Sequence, residues 1–462
     1  MKITLICPTN YYGASATKGI YYPMGILLVG SLIKDTFPAW DVEVIDGELF
    51  SKSELEQKVI GTDVLGLSAN TCNYQSCLEL ANFAKEHDTR QVIVGGPHTS
   101  AILTKGKEII PMAKLILRNN QSIDAVIVND GEAAFLKYLV EIGKKRPQLQ
   151  TIDNLFWREQ GIVHENNAVL PIKPPRFTDM DFSLMDFSKY WEEHKKEFPA
   201  MDKRYIEGFT HVGCVWREKL GCSFCDIPYP FNNYQSPGKF WRDLAEAKTR
   251  IGIQSFKDYG DCLTGNPERV KALLDGRPKH LEDIQLSCYG RSSEITEEMA
   301  DLLKALNIIY IYIGFDSGDN QMLKSMREGY SVKANYTAME RLAKRGINVT
   351  GSLILGASGE SEETISNTEK FAREITAYPN VTQLYCAMLT PFPGAPMSRE
   401  IISLSPEYSE LDVWDTEATK RLWVEKKCKA PYEYIEQKAR EINGLNPSSR
   451  KRYFGLKREF AP

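Results

Sequence analysis

Three cysteines define the chemistry open to this chain. Cys214, Cys222 and Cys225 follow the spacing Cys-x7-Cys-x2-Cys and are the one cluster among ten cysteines. Three thiolates on one loop can hold three irons of a four-iron four-sulfur cluster and leave the fourth iron open to a substrate or cofactor. A structural zinc site would need a fourth, closing ligand. Cys262, Cys288 and His211 are the candidates, and none has a local spacing that completes a standard zinc module.

The rest of the composition sets limits. At 462 residues the chain should hold two to four domains. With 42% hydrophobic and 26% charged residues it reads as globular rather than disordered. A net charge of −4 gives no electrostatic case for nucleic acid or anionic membrane as the main partner. No apolar run approaches the ~20 residues of a membrane span, and Met1 leads straight into the strand-like Lys2-Ile3-Thr4-Leu5-Ile6. A cytoplasmic, reducing setting is expected, where clustered thiols bind metal or catalyse.

The elements that must position the cysteines fall into two series. β-Rich runs at 3–7, 42–45, 64–67, 92–94 and 125–128 alternate with helical spacing at 25–33 and 76–85, the βαβ pattern of an open parallel sheet. Ligands of such sheets bind beyond the carboxyl ends of the strands. Those ends carry residues 8–10, Asp46-Gly47, Ser68-Ala69-Asn70-Thr71, Gly95-Gly96-Pro97-His98 and Asn129-Asp130-Gly131-Glu132. Small residues there let backbone approach a large flat or phosphate-bearing ligand. A hairpin at 154–157 and 162–164, followed by Pro171, Pro174 and Pro175, reads as a linker. Strand candidates at 210–215, 255–259, 284–289, 308–313, 349–355 and 383–388 then alternate with helices, predicting a six-unit open βα barrel with the cysteines just after its first strand. From about residue 397 the chain is helical and polar, with a basic end that includes Arg450-Lys451-Arg452.

Taken together these motifs resemble the cobalamin-dependent (class B) radical S-adenosylmethionine (SAM) methyltransferases, over about residues 1–400. The family's usual motif is Cys-x3-Cys-x2-Cys with an aromatic residue before the last cysteine. Phe224 meets that position, while the seven-residue gap is longer and would let Trp216, Arg217 or Glu218 reach the site. Lys257-Asp258-Tyr259-Gly260-Asp261 stands where relatives hold the SAM amine, so the resemblance implies Asp258 or Asp261 in that role. It likewise implies Arg291 at the SAM carboxylate, Asp316 of Gly314-Phe315-Asp316-Ser317-Gly318 at the ribose or amine, and Gly356 in the element that supports adenine.

For the first domain the resemblance implies cobalamin, with Pro23, Gly25, Asp46, Ser68, Gly95, Gly96, Pro97, Asp130, Gly131 and Glu132 in its fingerprints. There is no Asp-x-His-x-x-Gly motif, which implies a cobalt lower face without a histidine ligand. His98 then suits the nucleotide tail or the loop, and Asn70 and Thr71 the lower face. The expected architecture is α/β. A Rossmann-like cobalamin-binding domain (1–150) precedes a linker with hairpin (151–200), a partial (βα)6 radical SAM barrel (201–398) and a small helical C-terminal region (399–462). The expected activity is methylation of an unactivated carbon through a 5′-deoxyadenosyl radical, with flavodoxin or ferredoxin as electron donor. A rearrangement, ring contraction or cyclisation with the same cofactors is the alternative. A methylthiotransferase would use Cys7, Cys72 and Cys77 for a second cluster, and a cobalamin or iron-sulfur sensor would leave the SAM-like motifs without purpose.

Overall fold

The computed structural model describes residues 1–9, 20–170, 177–201, 204–219, 221–227, 232–327 and 329–446, and only the backbone of 218 and 219. Pro171, Pro174, Pro175, Asn10, the side chain of Glu218 and the basic end at 450–458 lie outside the described residues.

Strands Lys2–Cys7, Asp41–Asp46, Val64–Ser68, Gln91–Gly95 and Ala125–Ile127 form a parallel sheet in which Lys2–Cys7 lies between Asp41–Asp46 and Val64–Ser68. Val64–Ser68, Gln91–Gly95 and Ala125–Ile127 are apolar through their centres because both faces are covered, while the edge strand Asp41–Asp46 alternates Val42, Glu43, Val44. Helices Met24–Thr36 and Glu132–Ile142 bury Ile26, Ile33, Phe135 and Leu139 on one face. Helices Tyr74–Glu86 and Met112–Asn119 bury Leu80, Ala84, Leu115 and Ile116 on the other. The expected hairpin exists as Leu155–Glu159 and Ile162–Glu165, but it is no free linker. Leu155–Glu159 pairs antiparallel with Ala125–Ile127 and extends this sheet to seven strands. An unpaired strand edge with buried Leu155, Phe156 and Trp157 beside it would have left backbone groups unsatisfied.

The second sheet has six parallel strands in chain order: Tyr205–Gly208, Ser255–Asp258, Gln285–Gly290, Ile308–Asp316, Asn348–Leu355 and Val381–Met388. Sequential order with intervening helices makes this a partial (βα)6 barrel rather than a second doubly wound sheet. One expectation is corrected. The first barrel strand is Tyr205–Gly208, not 210–215. The Asp258 carboxylate accepts from Thr210 N at 2.9 Å and from Thr210 Oγ1 at 2.5 Å, which turns the chain off the sheet. His211–Val212 instead pairs antiparallel with Asn233–Tyr234, and Val215 opens the short helix Val215–Lys219.

The C-terminal helices join the two halves. Asp412 accepts from Tyr74 Oη and Asn120 Nδ2, both at 2.6 Å, on the first sheet's helical layer. Trp423 Nε1 donates to the Gly356 carbonyl and Asn443 brackets the Cys386 backbone on the barrel. Trp414 is also buried, donating to the Pro391 carbonyl, so both tryptophans are core rather than pocket lining. Among the described residues no helix is long and apolar enough to cross a membrane.

Candidate active site

The cysteine loop leaves the barrel through Gly213, whose φ of +90° suits only glycine and whose N–H donates to Asp261 Oδ2 at 2.8 Å. Cys214 then caps the short helix. The hydrogen bond from the Cys262 thiol, with the Trp216 and Arg217 N–H groups behind it, brings the Cys214 thiol down to about 6. Burial raises Cys225 to about 11 and also raises Cys222, whose shift Arg327 opposes. Metal binding would therefore release protons from these two thiols. The residues beyond the family's usual gap form the one-turn helix, and Trp216 on it lies 4.0 Å under the Arg291 guanidinium.

Among the described residues no three His, Cys, Asp or Glu side chains converge on a single ion. His211 is committed elsewhere, its Nδ1 to Thr210 Oγ1 at 3.0 Å and its Nε2 to the Cys262 N–H at 3.2 Å. Three half-buried thiols on one loop suit a cluster in which each iron has its own thiolate.

Two buried arginines face this loop. Arg291 Nε and Nη2 have no hydrogen-bond partner, and its guanidinium sits between the Trp216 and Tyr330 rings at 4.0 and 4.5 Å, with Glu294 at 3.6 Å. Unused, fully buried N–H groups fit a carboxylate ligand. Asp316, at φ +59°, forms a buried ion pair with Arg327, whose guanidinium lies 5.3 Å from the Phe224 ring. A Cβ at Gly314 would stand 3.0 Å from Asp316 Oδ1, so glycine is needed to seat the pair. Asp258 is occupied by Thr210 and by Gly260 N at 2.9 Å, whereas Asp261, raised to about 6 by burial, opens onto the cavity described next. Gly356, at φ +94°, donates to Glu360 Oε2 and accepts from Trp423, closing the strand end.

A cavity of about 360 Å³ runs from the carboxyl ends of the first sheet to the mouth of the barrel. Gly25, Ser68, Gly95, Gly96, Pro97, Asp130, Gly131 and Glu132 line it from the sheet, and Phe209, Val212 and Asp261 from the barrel. At Gly96, with φ +102°, a Cβ would fall 2.6 Å from the Ala69 carbonyl oxygen. Burial and the nearby Glu132 raise Asp130 to about 7. Other expected contacts lie elsewhere. Pro23 precedes the helix Met24–Thr36, and Asp46 accepts from Tyr190 Oη at 2.8 Å, bracing the sheet against the helix Phe187–Glu197. Asn70 caps the turn at Cys72 and Asn73. Thr71 Oγ1 bonds His98 Nδ1 at 3.2 Å, and His98 Nε2 donates to the Asp412 carbonyl at 2.9 Å, so both ring nitrogens are used.

Sequence reasoning missed the floor of this cavity at Gly66 and Phe135, its barrel rim at Phe209 and Val212, and the Arg327 partner of Asp316. A glycine inside a strand was the available signal for Gly66, where a Cβ would meet Leu5 at 2.6 Å.

Residues 210–372 match the Radical SAM superfamily. An uncharacterized methyltransferase of Pyrococcus horikoshii is 25% identical over 85% of this chain and 82% of its own length. Among solved structures, the radical S-adenosylmethionine methyltransferase TsrM of Kitasatospora setae has a TM-score of 0.63 at 17% identity, covering 87% of this chain and 76% of that one. It has been seen with cobalamin and a 4Fe-4S cluster, and with tryptophan substrate and a SAM analog. The cobalamin-dependent SAM radical enzyme OxsB has a TM-score of 0.58 at 17% identity, covering 93% of this chain and 58% of that one. The barrel is thus a radical SAM domain. With its Rossmann-like partner sheet, the chain shares the overall fold of TsrM and OxsB.

Proposed function

We propose that the chain methylates an unactivated carbon of a small-molecule or peptide substrate, with a four-iron four-sulfur cluster on Cys214, Cys222 and Cys225, SAM at that cluster, and cobalamin in the cavity between sheet and barrel. The observation that carries this reading is the continuity of that cavity: Asp261 lines it and also holds Gly213, the residue before the first cysteine. When bound, these groups supply an electron, a 5′-deoxyadenosyl radical and a transferable methyl group.

The chain's own residues bind and orient. Arg291 offers the SAM carboxylate its Nη2, which has no hydrogen-bond partner among the described residues, beside an Nε that faces Glu294 at 3.6 Å. Arg327 holds Asp316 in place for the amine or ribose and opposes the burial that raises its carboxyl. Asp261 faces the space between the two cofactors. Gly95 and Gly96 admit a broad ligand against backbone, and Phe209 and Val212 keep water from the barrel mouth. His98, pushed down to about 4 by burial and bonded through both nitrogens, braces the C-terminal segment, which supports a cobalt lower face without histidine. The proposed division is 1–150 for cobalamin, with the hairpin of Leu155–Glu159 and Ile162–Glu165 added to its sheet, the rest of 151–200 as linker, 201–398 for the radical SAM barrel and 399–462 as helical support. A cytoplasmic location with flavodoxin or ferredoxin as reductant belongs to the same reading.

Anaerobic reconstitution with iron, sulfide and hydroxocobalamin tests it. About four irons and one cobalt per chain, SAM cleavage under reduction, and a methylated product are expected. Iron without cobalt, or zinc in place of iron, overturns it. SAM cleavage with a rearranged, unmethylated product would favour the alternative. A second cluster on Cys7, Cys72 and Cys77 has less support, because Cys72 is exposed while Cys77 is wholly buried.

A further inference from the structure

Inside the barrel the ammonium of Lys257 makes no ion pair within contact distance among the described residues. Lys257, on strand Ser255–Asp258, is 3% exposed, and its Nζ has no hydrogen-bond partner among the described residues. Five aromatic rings enclose it: Tyr21 at 4.0 Å, Phe198 at 4.8 Å, Tyr205 at 5.6 Å, Tyr259 at 5.9 Å and Tyr312 at 6.0 Å from Nζ to centroid. The two nearby carboxylates are held by other groups. Glu207 Oε1 accepts from Tyr259 Oη at 3.0 Å, and Glu197 Oε1 accepts from Gln383 Nε2 at 2.6 Å and Tyr385 Oη at 3.1 Å. Burial brings the ammonium down to about 7 against the pull of Glu207 and Glu197.

The position is significant. Lys257 immediately precedes Asp258 at the carboxyl end of its strand, four residues before Asp261 on the cavity rim and five before Cys262, whose thiol donates to Glu294 Oε2 at 3.2 Å. Tyr21 comes from the loop after the first strand of the other sheet, and that loop is pinned to the barrel where Tyr205 Oη donates to the Ile20 carbonyl at 2.5 Å and Glu207 N donates to Tyr22 Oη at 2.7 Å. Ile20, Tyr21 and Tyr22 thus bring the domain that would carry cobalamin against the rings around Lys257.

We propose that the Lys257 ammonium anchors a carboxylate of the substrate, whose body stands among the tyrosine rings of the barrel lumen. This rests on the function proposed above and adds the substrate's charge class. Cation–π contact alone does not account for the lysine: a methionine would pack the same rings without the cost of burying a charge. A single ammonium among rings, without a guanidinium fork or a backbone nest beside it, suits a singly charged carboxylate rather than a phosphate.

The test uses the reconstituted full chain and 19F NMR titrations with fluoroacetate against fluoroacetamide, and 4-fluorobenzoate against 4-fluorobenzamide, with fluorophosphate as the third anion. At least one carboxylate should bind at least tenfold more tightly than its amide and than fluorophosphate. That preference should vanish in both Lys257→Met and Lys257→Gln, with thermal melts confirming that each variant is folded. Equal binding of acid and amide, preference for fluorophosphate, or retention of the preference in the variants overturns the proposal. Iron and cobalt counts on the same sample separate the two levels: full loading without a carboxylate preference refutes this inference alone, and failure to load refutes the function beneath it.

Discussion

The cavity assignment makes a sharp demand at Gly25. This glycine is the second residue of helix Met24–Thr36, lines the cavity, and has nothing within 4 Å of the position a Cβ would take. A Gly25→Trp substitution therefore meets no protein atom near the backbone and trades a poor helix former for a better one, a gain of up to ~0.5 kcal/mol. Folding should be unchanged or slightly firmer. The indole, however, projects into the space assigned to cobalamin, and overpacking of this kind costs ~1–3 kcal/mol. At ~1.4 kcal/mol per tenfold, cobalamin affinity should fall about 5- to 140-fold. The assay is a hydroxocobalamin titration by optical absorption, followed by cobalt and iron counts after gel filtration, beside a thermal melt. Iron should remain at about four per chain while cobalt is lost at low cobalamin. A variant that retains one cobalt per chain at parental affinity, with an unchanged melt, would refute the placement of cobalamin in this cavity.

Other expectations follow from single contacts. Arg327→Leu leaves Asp316 buried without its partner and should cost ~3–5 kcal/mol in urea unfolding; a loss below ~1 kcal/mol would show that the pair is not buried as described. Cys225→Ala should abolish the intact four-iron complement and its broad visible absorption while the far-ultraviolet dichroism persists, and retained iron would remove Cys225 from the ligand set. His98 is held neutral down to about 4 against an ordinary 6.5. The unfolded chain thus binds a proton that the folded one refuses between those values, and the stability tied to His98 is full above about pH 6.5 and declines by roughly 3 kcal/mol as pH falls to 4. Compared with the parent, His98→Gln should lack that slope in pH-dependent denaturation; parallel curves would contradict the burial argument. Tyr190→Phe removes one donor from the buried Asp46 carboxylate and should cost ~1–3 kcal/mol by the same measurement.

Much of the fold was legible because parallel strands buried on both faces leave nearly continuous apolar runs, as at Val64 to Leu67 and Val92 to Val94. The first barrel strand was misplaced because Thr210 to Val215 is apolar enough to read as a strand, while what turns it off the sheet is the carboxylate of Asp258, a residue 48 positions away from Thr210. The hairpin read as part of a linker for a similar reason: its partner strand, not its own composition, makes it sheet. His98 stood in the right loop but faces Asp412, 314 residues further on. Lys257 was in view only as the first residue of a strand-end motif, since period-two patterning does not reveal which lysine is enclosed by rings from five separate places in the chain.

By itself the sequence determined the chemical inventory of this protein: three thiols at one loop, glycines at strand ends, and the order of strands and helices, all of which depend on local spacing and backbone preference. The tertiary structure decided which of these groups share a volume. The continuity of the cavity from Gly96 to Asp261, the Asp316–Arg327 pair and the lumen around Lys257 all join residues from different strands and loops. Such groupings are set by how closely packed layers close on one another, a long-range property that no local pattern encodes.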